Sequence, residues 1–130
     1  MSTIRCITNN PMMLDKGFTS LEYHDTDVLG LFNLILPDVA AGFRLLSHPL
    51  SGSIRPDITP YKTVLLSGSP GPVDEFSLQL INKAVRYAES LYKLRATPLY
   101  KLCSEAARKD FQFIDMCLIE QALEVSQLKR

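Results

Sequence analysis

Between residues 45 and 62 the chain reads LLSHPLSGSIRPDITPYK, a run dense in residues that shape backbone and carry polar groups. Pro49, Pro56 and Pro60 each fix φ and remove a backbone donor, so this connection should hold one shape. Gly52 between Ser51 and Ser53 permits positive φ or a close approach of the backbone to a ligand. Successive N–H groups in LSGS could cradle an anion, with the two hydroxyls adding donors. Arg55 and Lys62 bring positive charge to either side, and His48 and Tyr61 bound the stretch. The chemistry these types suit is capture of the carboxylate or phosphate of a small metabolite. The competing reading is a proline-rich turn whose polar groups satisfy one another.

Other chemistries find less support. A nucleophile pair of His48 with Ser51 or Ser67 lacks a GxSxG elbow and an identifiable acidic third member. There is no GxxxxGK[ST] and no GxGxxG, so no nucleotide loop is expected. His24 and His48 stand at no ligand spacing with cysteines or carboxylates, so neither a metal nor a cofactor is expected. Asn9 and Asn10 form a second polar cluster in ITNNP; they could meet a ligand, although asparagines there commonly bond their own turn. Asp115 borders an apolar helical stripe, where an unpaired charge is costly, so it should meet a donor such as Arg55, Lys62 or backbone N–H groups. No residue is assigned a catalytic role.

These residues need elements to hold them. TIRCITNN reads as a first strand ended by Asn-Pro, and SLEYH as a short second one. Asp25 or Thr26 should cap a helix with the stripe Val28, Leu29, Phe32, Ile35, Leu36 and Val39. Pro37 should kink it or open another helix, and Gly42 should close it. FRLLSH is a third strand and YKTVLL a fourth, halted by SGSPG. Pro72 and Asp74 open a helix with the stripe Leu78, Ile81, Val85, Ala88 and Tyr92, widened by Phe76, Leu80, Ala84 and Leu91, and broken by Thr97-Pro98. A last helix from about Ser104 carries Phe111, Ile114, Leu118, Ala122 and Val125, and frays at SQLKR. The order predicts one α/β domain over residues 1–130: a small layered fold with a short, mostly parallel sheet of about four strands covered by three or more helices. Parallel strands would gather the polar loops at the carboxyl edge. Were the third and fourth strands antiparallel, the 48–61 connection would lie at the opposite edge from TNNP and SGSPG.

The totals limit the function classes. At 130 residues, 46% hydrophobic and 22% charged, the chain has the make-up of a folded globular domain. Fourteen basic residues balance fourteen acidic ones, so no global field draws in nucleic acid or an anionic membrane. The basic residues concentrate in Lys83, Arg86, Lys93, Arg95, Lys101, Arg108 and Lys109, a solvated face or a docking surface for an acidic protein. Cys6, Cys103 and Cys117 are odd in number and share no CxxC, against both a disulfide framework and a thiolate metal site. The start MSTIRCITNNP has no signal-peptide layout, and the longest apolar run is broken by Asn33, Pro37 and Asp38, so a cytoplasmic location is expected. A homo-oligomer is compatible with this composition.

ITNNP, LLSHPLSGSI followed by PYK, and the closing DFQFIDMCLI together resemble the GrdX family, over about residues 4–120. These are small proteins encoded beside the components of glycine, sarcosine and betaine reductase in anaerobic amino-acid metabolism. Pro37 departs from the uninterrupted helix that the resemblance implies before Gly42. The resemblance implies an accessory role with a reductase component as partner, and it supplies no catalytic residues to carry over. The catalytic selenocysteine and cysteines of those reductases belong to other subunits, and this chain has no CxxC to join their electron path. Two expectations result: a non-catalytic accessory protein acting by docking or regulation, or a binder of a small anionic metabolite (or modest enzyme) that uses the 48–62 loop.

Overall fold

A computed structural model describes residues 4–18, 20–52 and 54–125. Three strands, β1 (Arg5–Thr8), β2 (Leu21–Tyr23) and β3 (Thr63–Leu66), form one sheet in the order β2-β1-β3. β1 runs parallel to β2, with Cys6 opposite Leu21, and antiparallel to β3, with Thr8 opposite Thr63. The α/β class holds, but the sheet is mixed and three-stranded where about four mostly parallel strands were expected. The missing strand is FRLLSH. Leu45 makes one antiparallel bridge to Leu66, and Leu46 N–H donates to the Leu65 carbonyl at 2.8 Å. The Ser47 hydroxyl then takes the Leu65 N–H at 2.9 Å, where a strand would offer a carbonyl, and Pro49 has no N–H to continue.

Period-two alternation decides which side each strand residue faces. Ile7, Val64 and Leu66 point to one face, where α1 (Val28–Ala40) and α2 (Glu75–Tyr92) bury Leu31, Phe32, Ile35, Ile81 and Ala84. Cys6 and Leu65 point to the other, against Met13 of a 3₁₀ turn (Pro11–Asp15) and Met116, Ile119 and Leu123 of α3 (Glu105–Val125). The result is a three-layer arrangement, two helices over the sheet and one beneath. Each fully buried Leu, Ile or Phe contributes about 1.5–3 kcal/mol, which makes these two clusters the main stabilising term. Among the described residues no helix is long and apolar enough to cross a membrane.

Several boundaries differ from the sequence reading. The cap of α1 is Asp27, whose carboxylate accepts from Gly30 N–H at 2.8 Å, rather than Asp25 or Thr26. Pro37 sits in the last turn and the helix continues past it to Ala40. Gly42 does close the helix: at φ +111° its N–H reaches the Val39 carbonyl, and Phe43 N–H reaches that of Asp38. This double reversal is the Schellman ending that favours glycine. α2 is capped by Asp74 as expected, but Phe76 is 69% exposed and widens no buried stripe, and the helix ends at Tyr92, ahead of Thr97-Pro98. α3 is turned about one residue from its expected face: Asp115, Met116, Ile119 and Leu123 are buried while Ile114 is 38% exposed. Thr3, Ser53, the Val125 side chain and residues 126–130 lie outside what is described.

The edge at which the loop lies is also corrected. Because β3 is antiparallel to β1, the connection entering β3 meets the carboxyl end of β1, beside TNNP, while SGSPG leaves at the opposite edge.

Candidate functional site

The polar motifs converge first on a buried node at the carboxyl end of β1. Alternation places Thr8 and Thr63 on the side of the sheet that faces α3, one step beyond Cys6 and Leu65. Asp115 of α3 is buried against them and accepts three hydrogen bonds: Thr63 N–H at 2.9 Å, Thr63 Oγ1 at 2.6 Å and Asn10 Nδ2 at 3.0 Å. Since the Thr63 hydroxyl donates to Asp115, the 2.7 Å contact between the hydroxyls must have Thr8 as donor. That leaves Thr8 Oγ1 free to accept Asn10 N–H at 3.0 Å. Burial raises the Asp115 carboxyl above its ordinary range, opposed by the Thr63 and Asn10 donors and the Lys62 charge. Burial, reinforced by the Asp115 and Glu22 charges, pushes the Cys6 thiol up to about 12, so it stays protonated and unreactive.

Asn9 ties together the segments around this node. Its carbonyl oxygen accepts Lys62 N–H at 2.8 Å, and its amide donates to the Thr26 and Pro60 carbonyls at 2.8 and 2.9 Å. Asn10 likewise donates to the Gln112 carbonyl and accepts Met12 N–H, capping the 3₁₀ turn. Both asparagines are buried; Asn10 bonds its own turn and α3, whereas the Asn9 side chain bonds the Thr26, Pro60 and Lys62 backbone.

The loop residues divide. Lys62 is buried and its ammonium donates to the Ser51 carbonyl at 2.7 Å and hydroxyl at 3.1 Å. Burial pulls that ammonium below its ordinary value, with the nearby Asp115 charge opposing. Ser51, Tyr61, Lys62 and Asp115 line a hollow beneath the loop whose other walls are mostly apolar, including Phe32, Leu50 and Leu118. At about 20 Å³ it has room for one water. Gly52, at φ +84°, packs so tightly that a Cβ would lie 2.9 Å from Leu118. His48 is exposed and its Nδ1 accepts Leu50 N–H at 3.0 Å. Arg55 is exposed too and forks onto the buried Asp57 at 3.0 and 2.7 Å. The structure therefore joins Ser51 to Lys62 and Asn9 to Lys62, and sends His48 and Arg55 elsewhere. Ser53 falls outside the described residues.

A larger cleft of about 330 Å³ opens at the carboxyl ends of the parallel pair β1 and β2. Asn9, Pro60 and Tyr61 form part of its wall, joined by Tyr23, Asp25, Asp27, Tyr100 and Arg108. Tyr100 is fixed three ways: its ring lies 5.7 Å from that of Tyr92, its hydroxyl donates to Asp27 at 2.8 Å, and its N–H donates to the Asp57 carbonyl. Burial and that bond to Asp27 push the Tyr100 phenol up to about 12, with Arg108 opposing. Tyr61 accepts Gln112 Nε2 at 3.0 Å. Burial, with Asp25 and Tyr61 next, also raises the Tyr23 phenol. The Tyr23 and Tyr100 rings are therefore neutral phenols at physiological pH. The sequence reading missed Tyr23, Asp25, Asp27, Tyr100 and Arg108 as a group because no spacing links them; the cluster Tyr23, Asp25, Asp27 at a strand-to-helix turn was the one local signal.

Among the described residues no three His, Cys, Asp or Glu side chains gather to hold a metal. The cysteines are free, Cys6 buried and Cys103 and Cys117 half-buried. No curated protein and no solved structure matches the chain. A family model described as GrdX-like protein matches residues 5–124, nearly its whole length, and the chain belongs to that family.

Proposed function

We propose that the chain is a non-catalytic accessory protein of the glycine, sarcosine and betaine reductase system, docking on a reductase component. Family membership supports the association. The observation that carries the docking is a run of exposed basic residues along α2 and the segment after it. Lys83, Arg86, Lys93, Arg95 and Lys101 are all exposed there, and none forms a salt bridge among the described residues. Exposed apolar residues adjoin them in sequence: Tyr87 at 42%, Leu94 at 67% and Leu102 at 67%. Apolar contacts within a basic surround suit an acidic protein face, whose charges steer the encounter while the apolar groups hold it. The 48–62 loop as a metabolite site has less support, since its hollow has room for one water and Lys62 is engaged by Ser51.

Binding of the full chain to each purified reductase component, measured as salt rises from about 0.05 to about 0.5 M, tests this. One component should bind, weaken steeply with salt, and lose at least about ten-fold in affinity to the pair Lys83→Glu and Arg86→Glu. Absence of binding to every component at low salt, or binding that ignores both salt and the reversals, contradicts it.

A further inference from the structure

Tyr87, within the basic run of α2, does not stand alone on the surface. With Leu50, Gly52, Ile54, Arg55 and Pro56 it lines a groove of about 150 Å³ between the helix and the outer side of the loop. Sites that enclose metabolites start near about 300 Å³, so this one suits a single apolar side chain. Its loop wall is held in place. Pro56 is buried with a fixed φ, Ile58 N–H donates to the Arg55 carbonyl at 3.0 Å, and Tyr100 N–H donates to that of Asp57 at 2.8 Å.

Arg55 stands in this wall in a set orientation. Its Nε and Nη2 donate to the Asp57 carboxylate, and the aspartate side chain is 3% exposed against 44% for the arginine. That side-on fork leaves Nη1 and the second N–H of Nη2 as an end-on pair, which can take another carboxylate with two parallel bonds. Asp57 balances the Arg55 charge, so the pair orients a carboxylate more than it attracts one. Attraction comes from Lys83, one turn before Tyr87 on the same face of α2, and from Arg86, next to it in sequence; both are exposed. An aromatic ring and an arginine at one pocket are the types that dominate interface energies. We propose, on the basis of the docking role, that this groove is where the partner is anchored. It seats one apolar side chain of an acidic partner segment, and Arg55 grips a carboxylate beside that side chain.

Binding of the full chain to the reductase components, followed as salt rises, tests the groove separately from the docking. Tyr87→Ala should weaken binding about ten-fold and leave its salt dependence unchanged, since no charge is lost. Phe76→Ala, at a side chain 69% exposed about three turns earlier in α2, should change affinity by less than about two-fold. Arg55→Lys keeps a charge for Asp57 but loses the end-on pair, and should cost about five-fold. The groove is overturned, and the docking left standing, if Lys83→Glu with Arg86→Glu weakens binding while Tyr87→Ala costs no more than Phe76→Ala or Arg55→Lys has no effect. No component bound at low salt would overturn both.

Discussion

Asp115 shows how one residue can look functional in sequence and act structurally. A carboxylate on the buried side of a helix is expensive unless donors meet it, and here three do, from Asn10 and Thr63. In Asp115→Asn the new amide nitrogen faces either the Thr63 N–H or the Asn10 and Thr63 donors, donor against donor. The substitution should cost roughly 2–3 kcal/mol in urea unfolding. Its pH dependence has a definite sign. Burial raises the folded-state carboxyl above its unfolded value, so the folded state binds the proton more tightly. The stability this contributes is fully present below the unfolded value and is lost as pH rises through the folded one. The deficit of Asp115→Asn relative to the parent should therefore widen as pH falls toward 4. A deficit that narrows on acidification would mean that the three donors outweigh burial.

At the scale of elements, turn chemistry and alternation were legible and pairing was not. Gly42 announced the end of α1, and its conformation is demanding on two counts: φ is +111° and a Cβ would collide with the Gly71 carbonyl oxygen. Gly42→Ala should therefore destabilise by more than about 2 kcal/mol. Gly17→Ala, at φ +76° with nothing within 4 Å, should cost only about 1 kcal/mol. Equal shifts in melting temperature for the two would contradict the close approach of residues 42 and 71. TIRCIT and TVLL could be read as strands because β-branched and apolar residues fill them. FRLLSH has the same look, yet its ladder ends after one bridge because Ser47 takes the next donor, a side-chain choice with no pattern in sequence. The turned face of α3 has a similar origin. Phe111, Ile114 and Leu118 form a proper apolar stripe, but they pack under the 48–62 loop and leave the sheet to Met116, Ile119 and Leu123.

At the scale of the whole molecule, the motifs and the cleft separate. ITNNP, PYK and the Asp115 region are brought together as a set of buried hydrogen bonds that joins β1, β3 and α3. That convergence could be suspected from their polar types, but the partners lie 52 to 105 positions apart and only the fold pairs them. The cleft beside them draws on residues from Asn9 to Arg108, so composition could not reveal it. The central claim is that the proline-braced loop builds the fold while the exposed basic run of α2 and the segment after it meets a partner protein. Mapping backbone amide resonances of the full chain during titration with the reductase component that binds it tests that claim most directly. Shifts should concentrate at residues 83–102. Shifts centred on 48–55, or none anywhere, would contradict it.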